Sequence, residues 1–387
     1  MLHLRLLYPL TLLMVCGCVG LPPEQPKAAT VGQAAEADSP ASATYRIAGR
    51  FVSLSGGRAE NQVIPGAASR TVTEIFGEPV AGDLDGDGTA DAALLLVQQT
   101  GGSGSFFHLA AALQKDRKWQ GSNAVFLGDR IAPQELSVRN GLIIIRYAEH
   151  RPGEPMAAAP TSAVERYFLV ENDLLLERFL EGKGAAPREG WVTIGHEVRE
   201  ILLCGEEQPR WLMGDSPAYG DIRAAHRQAA ADLPPYAPVF MILSGEETPA
   251  PGDGFGADCP GGFRAAQLLK VASRGHCRSE WIRVDAPSPG TSVVKETIEI
   301  SGQARGPWFF EGDFPLLVIE RMGSVVARHY ASAQGPWMTR GWVPFRSVVT
   351  ISQPYEPGWG WLVLKKDNPT DRRELDDEVR IPVFLPP

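Results

Sequence analysis

The feature that most constrains this chain is the rhythm of its breaks. Through residues 283–387, turn signals return about every 8–12 residues and separate short runs that alternate apolar and polar. The runs are 297–302, 316–320, 325–330, 343–351, 361–365 and 379–385. A period of two puts every second side chain on one face, as in a strand packed on one side. Runs this short leave no room for a helix of ordinary length. The 41 glycines and 32 prolines fit the same picture, because both residues interrupt helices.

Seven or so such strands, introduced by Pro287-Ser288-Pro289-Gly290, argue for an immunoglobulin-like β-sandwich over 283–387. Upstream the pattern changes. Residues 192–203 read as one long alternating strand and 210–213 as a short one, followed by a helix over 221–231. Strands return at 238–245 and 263–271. Strands, one helix, then strands suit a small, partly open barrel of OB type over 190–282. The first unit, 44–180, has strand-like runs at 45–53, 92–98, 106–113, 124–127, 142–147 and 164–170. With a short helix expected at 71–76, it reads as α+β. The fold class is therefore mainly β and multidomain, which suits 387 residues at about 100–200 per domain.

The formal net charge is −9 and no basic patch stands out, which argues against nucleic acid and anionic head groups as partners. The N-terminus carries one positive charge, Arg5, and then an apolar run over 6–15. That run falls short of the roughly 20 residues a spanning helix needs, and it fits a signal-peptide core. It closes on Val15-Cys16-Gly17-Cys18, which resembles the bacterial lipobox. The resemblance implies cleavage of 1–17 and acylation of Cys18. Val19 follows, where an Asp would signal inner-membrane retention, so the implied place is the outer membrane, facing the periplasm. Residues 18–43, rich in Ala, Pro, Glu and Ser, read as a flexible tether.

After Cys18 the remaining cysteines are Cys204, Cys259 and Cys277, enough for one disulfide. Cys204 ends the long strand and Cys277 closes its unit, so that pair is expected. Cys204–Cys259 and Cys259–Cys277 stay open.

The strongest metal signal is Asp83-Leu84-Asp85-Gly86-Asp87-Gly88-Thr89-Ala90-Asp91. Calcium takes six to eight hard oxygens, and Asp83, Asp85 and Asp87 supply carboxylates at loop positions 1, 3 and 5. Gly88 permits a sharp turn, Thr89 offers a carbonyl and Asp91 stands at position 9. Leu94 occupies the place of the bidentate Glu of an EF-hand, so this is a different class of loop. Crowded carboxylates repel one another without a cation, and a structural calcium ion is expected.

Groups that could carry catalysis are scattered. His108, His150, His196, His226, His276 and His329 fall one to a segment, without zinc-ligand spacing. Ser103 lies in a Gly-Gly-Ser-Gly-Ser run that is no nucleophile elbow. Asp253 and Asp258 read as a solvated loop. Aromatic residues gather late in the chain, and Trp308 and Trp337 are candidates for core or for a binding face, with core favoured.

Three stretches bear family resemblances. GDLDGDGTADAALLLVQQTGGSGSFFHLAAAL is similar to a region of many Gram-negative lipoproteins of unknown function. GHEVREILLCGEEQPRWLM, PYAPVFMILSGE and DGFGADCPGGF resemble the OB-fold domain of envelope-stress lipoproteins of the NlpE type, without the Cys-x-x-Cys linked to copper there. ISGQARGPWFFEGDFPLLV, QGPWMTRGWVPF and LVLKKDNPTDRRELDDEVRIPVFL resemble the immunoglobulin-like domain named from bacterial spore germination, which implies a non-enzymatic role in adhesion or assembly. Together they imply a non-enzymatic envelope lipoprotein that binds or scaffolds an envelope protein or glycan. An envelope-stress sensor signalling through a protein partner is the alternative. A metal-dependent hydrolase working through the Asp83–Asp91 loop is a remote third.

Overall fold

A computed structural model describes residues 38–62, 70–181, 186–294, 296–352, 354–370 and 372–387. The expected signal segment 1–17, Cys18 and the expected tether up to residue 37 lie outside the described residues. Residues 38–387 form one compact unit built of successive β bodies.

The first body is a pair of sheets. An eight-stranded sheet runs in the order Arg50–Ser53, Thr44–Ile47, Asn123–Asp129, Phe106–Lys115, Asp91–Gln99, Arg70–Gly82, Arg58–Gln62, with Lys118–Gly121 also paired to Phe106–Lys115. A four-stranded sheet of Leu174–Arg178, Ser162–Glu171, Leu142–Glu149 and Ala132–Arg139 packs on it. Leu95, Leu109 and Leu113 meet Ile143, Ile145 and Phe168 between the sheets. The opposite face of the same central strands is covered too, by Tyr45, Ile47 and Val52 against Leu94, Leu96 and Ala110. Burial on both faces explains why these two strands read as continuous apolar runs rather than alternating ones.

Several local expectations are corrected here. The helix expected at 71–76 is strand, part of Arg70–Gly82, so within 44–180 the described residues hold no α-helix and the α part of the α+β reading fails. The Thr-Val-Thr run is β-branched, a composition that favours strand. The single strand expected at 45–53 is a hairpin, because Ala48 and Gly49 both adopt positive φ, 47° and 81°, and turn the chain in two residues. The last residues of the expected tether are ordered. Pro40–Ser42 forms a 3₁₀ turn and the Tyr45 hydroxyl donates to the Pro40 carbonyl at 2.7 Å.

The second body is a closed five-stranded barrel in the order Pro187–Gly195, Val198–Leu203, Arg210–Leu212, Gly262–Val271, Val239–Thr248. The long strand expected at 192–203 splits in two at a turn where Glu197 takes φ 62°. The barrel also begins at Pro187 rather than at 190. A parallel pairing of Trp211 with Gly262 closes it, so it is closed rather than partly open. The helix Tyr219–Ala229 stands between the third and fourth strands and buries Ile222 and His226.

The third body is an immunoglobulin-like unit. Its sheet wraps round one core in the order Ile282–Ala286, Thr297–Arg305, Trp342–Thr350, Val325–Ala333, Asp313–Ile319, Gly358–Lys365, Glu378–Leu385, Thr291–Ser292. Alternate residues point inward, as in Phe314, Leu316 and Val318, and Trp308 is fully buried among them. The chain is thus mainly β and multidomain.

Candidate functional site

The aspartate loop owes its position to an antiparallel ladder. Gly82 ends one strand opposite Asp91, which begins the next, so residues 83–90 must reverse the chain in a tight curl. Gly86 and Gly88, both at φ 87°, allow the curl. Leu84 points into the core with no exposed surface, and Asp83 and Asp85 on either side of it point out of it.

Backbone amides organise the carboxylates. Asp83 Oδ1 accepts from Gly86 N–H at 2.7 Å and Oδ2 from Gly88 N–H at 3.0 Å. Asp87 N–H donates to Asp85 and Thr89 N–H to Asp87. Asp91 is fully buried and accepts from Leu84 N–H and Gln114 N–H, each at 2.9 Å. Asp83, Asp85 and Asp91 bring one carboxylate oxygen each within 4.8 Å of one another. Asp87 is not in that group. Asp87 is exposed and Thr89 contributes its N–H to Asp87.

Burial and hydrogen bonding set the electrostatics of these carboxylates. Burial pushes Asp91 up to about 6 despite its two amide donors, and burial likewise raises Asp83. The Thr89 N–H holds Asp87 below the usual carboxylate range. Two lysines answer this charge, and neither was legible in the motif. Lys115 pairs with Asp85, lies 3.8 Å from Asp87 and is raised by the Asp85 hydrogen bond. Lys270 comes from the barrel and donates to the Leu84 carbonyl at 2.9 Å; burial lowers its pKa.

The loop is also where the three bodies meet. A cleft of about 560 Å³ is bounded by the loop, the Asn140-Gly141 turn, barrel residues Lys270–Ser279 and Arg283 of the third body. Arg283 donates to the Ala81 carbonyl at 3.2 Å and lies over the Trp342 ring at 4.2 Å. A Cβ on Gly88 would stand 2.2 Å from Arg274, and one on Gly141 would stand 2.0 Å from Lys270 Nζ. Asn140 completes the joint. It donates to Glu189 and the His276 carbonyl and accepts from His276 N–H.

Among the described residues, no histidine joins the carboxylate cluster. His108 and His276 are buried and burial lowers both. Cys204 and Cys277 are joined in a disulfide with Cα atoms 5.4 Å apart, so Cys277 offers no thiolate beside His276. Cys259 is free and its thiol is raised by burial. Asp253 and Asp258 are exposed. Trp308 is core, which removes it as a binding surface, and Trp337 is half-buried against the same core.

The profile of an immunoglobulin-like domain of bacterial spore germination matches residues 281–372. It ends before the strand Glu378–Leu385, which pairs with Gly358–Lys365 and completes the sheet. No match is found among curated proteins or among solved structures.

Proposed function

We propose that this chain is a non-enzymatic lipoprotein of the bacterial envelope, acylated at Cys18, that faces the periplasm from the outer membrane and serves as a binding or scaffolding body. Its aspartate loop holds a structural calcium ion. The observation that carries the reading is the place of that loop at the joint of three bodies, with its own carbonyl and that of Ala81 clasped by Lys270 and Arg283. A scaffold needs a fixed spacing between its parts, and a cation at this point would set it.

The residues fit a hard cation. Asp83, Asp85 and Asp91 supply oxygens, and Asp83 and Asp91 are raised by burial, which holds their carboxylates away from water. A calcium ion would replace the water these carboxylates lose on burial, beside the Lys115 that already pairs with Asp85. The barrel's strand order and the place of its helix support the OB reading of the second body. The immunoglobulin-like third body supports a binding role rather than turnover.

Calcium is expected to raise the melting temperature of the full chain. At a hundredfold excess over Kd the gain is about 2.7 kcal/mol. Asp85→Ala with Asp87→Ala abolishes it. Equal melting in chelator and in millimolar calcium would reduce the loop to a turn.

A further inference from the structure

The cleft at the joint of the three bodies also carries positive charge that nothing answers. Lys270 and Arg274 of the barrel and Arg283 of the third body all line it, and among the described residues none of the three forms an ion pair. Elsewhere Arg146, Arg166, Arg210 and Arg264 are each bridged to a carboxylate. Asp83 and Asp85 line the same cleft but are committed. Both Asp83 oxygens accept backbone amides, and Asp85 pairs with Lys115. Asp87 and Asp285, whose charges reach Arg274 and Arg283, are exposed.

The two guanidinium groups are placed by the fold. Arg274 follows the strand Gly262–Val271 and lies over Gly88, where a Cβ would stand 2.2 Å from its Nη1. It makes no side-chain hydrogen bond among the described residues, so its five N–H donors are open. Arg283 uses one donor on the Ala81 carbonyl, and its plane is held 4.2 Å from the Trp342 ring centroid. Arg305 lies 4.3 Å from the same centroid and also lacks an ion pair. Burial lowers the pKa of Arg283, and the like charge of Arg305 lowers it further. Ser279 lines the cleft as well, and its Oγ is buried without a hydrogen-bond partner among the described residues.

This chemistry selects an oxyanion. A guanidinium fork matches carboxylate or phosphate with two parallel hydrogen bonds, and a serine hydroxyl can donate a third. Charge then separates the candidates. A carboxylate answers one arginine, whereas a phosphomonoester carries about −1.5 to −2 at pH 7 and three acceptor oxygens. A volume of about 560 Å³ suits a small molecule. The aspartate loop on the adjoining wall repels an extended polyanion, whose binding needs Lys and Arg along its length.

The geometry points to this cleft as a binding site for the phosphomonoester group of a small molecule, gripped by Arg274 and Arg283 and by the buried hydroxyl of Ser279. The site rests on the cleft alone and not on a cation in the aspartate loop.

The test is calorimetry on the full chain, stripped of calcium by chelation and dialysis, in a detergent without a phosphate or sugar head group. Glucose 1-phosphate is expected to bind saturably below about 10 mM, glucose not at all, and glucuronate at least threefold more weakly than the phosphate. Arg274→Gln, at an exposed position without a bonding partner, weakens phosphate binding about fivefold or more. Ser279→Ala weakens it about twofold or more. Arg227→Gln makes the same charge change at an exposed position on the helix, outside the cleft, and leaves binding unchanged. Because calcium is absent throughout, failure here is separable from failure of the calcium reading. No saturable binding of glucose 1-phosphate, equal binding of glucose or glucuronate, or smaller losses with either cleft substitution would each overturn the site.

Discussion

Replacing both Cys204 and Cys277 by Ser removes a link between residues 73 apart in the chain. In the chain-entropy account, closing a loop of that length restricts the unfolded ensemble by about 4.4 kcal/mol at 25 °C. The bridge lies in a small cluster with Trp191, Phe240 and Ala272 of the barrel and Trp361 of the third body. The Trp191 and Trp361 rings meet edge to face with centroids 6.0 Å apart. The loss therefore falls on the seam between the two bodies as well as on the barrel. Guanidinium unfolding of the double variant, followed by tryptophan fluorescence, is expected to show a lower midpoint and a steeper transition. The steeper slope follows because a chain freed of its cross-link exposes more surface when it unfolds. Cys259→Ser supplies the control, since that thiol has no disulfide partner and its loss changes stability by less than about 0.5 kcal/mol. Non-reducing peptide mapping completes the assay. A loss below about 1 kcal/mol, or a linked peptide containing Cys259, would refute the reasoning.

Three further predictions follow from burial, ionisation and the N-terminal motif. Burial, with the Glu280 carboxylate nearby, pushes Glu189 up to about 7 from its ordinary 4.5. A raised carboxylate contributes stability that is complete below about pH 4.5 and is lost as pH rises through 7, with a ceiling of roughly 3 kcal/mol. Glu189→Gln, which can still accept from Asn140, should therefore raise the melting temperature at pH 8 and leave it unchanged at pH 4; equal gains at both would place the effect elsewhere. Trp308→Ala should cost about 3–5 kcal/mol by opening a cavity in a fully buried site, whereas Met338→Ala, 86% exposed, should cost almost nothing; similar melting of the two variants would contradict the core assignment. Cys18→Ser should leave unacylated precursor or release the chain from membranes, and continued labelling by a radiolabelled fatty acid would count against the lipid anchor.

The chemical character of each segment could be read directly. The alternation of Phe314, Leu316 and Val318, the turn spacing and the Asp-x-Asp-x-Asp run all report local demands, and local demands are written in adjacent residues. That is why the mainly β class and the third body were legible, and why the loop was visible as a cluster of oxygens. The two-residue turns at Ala48-Gly49 and His196-Glu197 escaped, because only one of those four residues is a glycine that advertises positive φ. The double-sided burial of Asp91–Gln99 was hidden for another reason: a run of apolar residues does not state how many layers will cover it.

The site itself divides the same way. Residues 83–91 carry the carboxylates in adjacent sequence, but that Asp83, Asp85 and Asp91 converge while Asp87 stays exposed is a product of the fold. Only the tertiary structure decided which charges answer them. Lys115 stands 30 residues from Asp85 and Lys270 stands 186 residues from Leu84, and no local pattern selects either. Hydrogen-bonding preference and periodicity act over a few residues, whereas burial and charge compensation are settled by which surfaces the folded chain brings together.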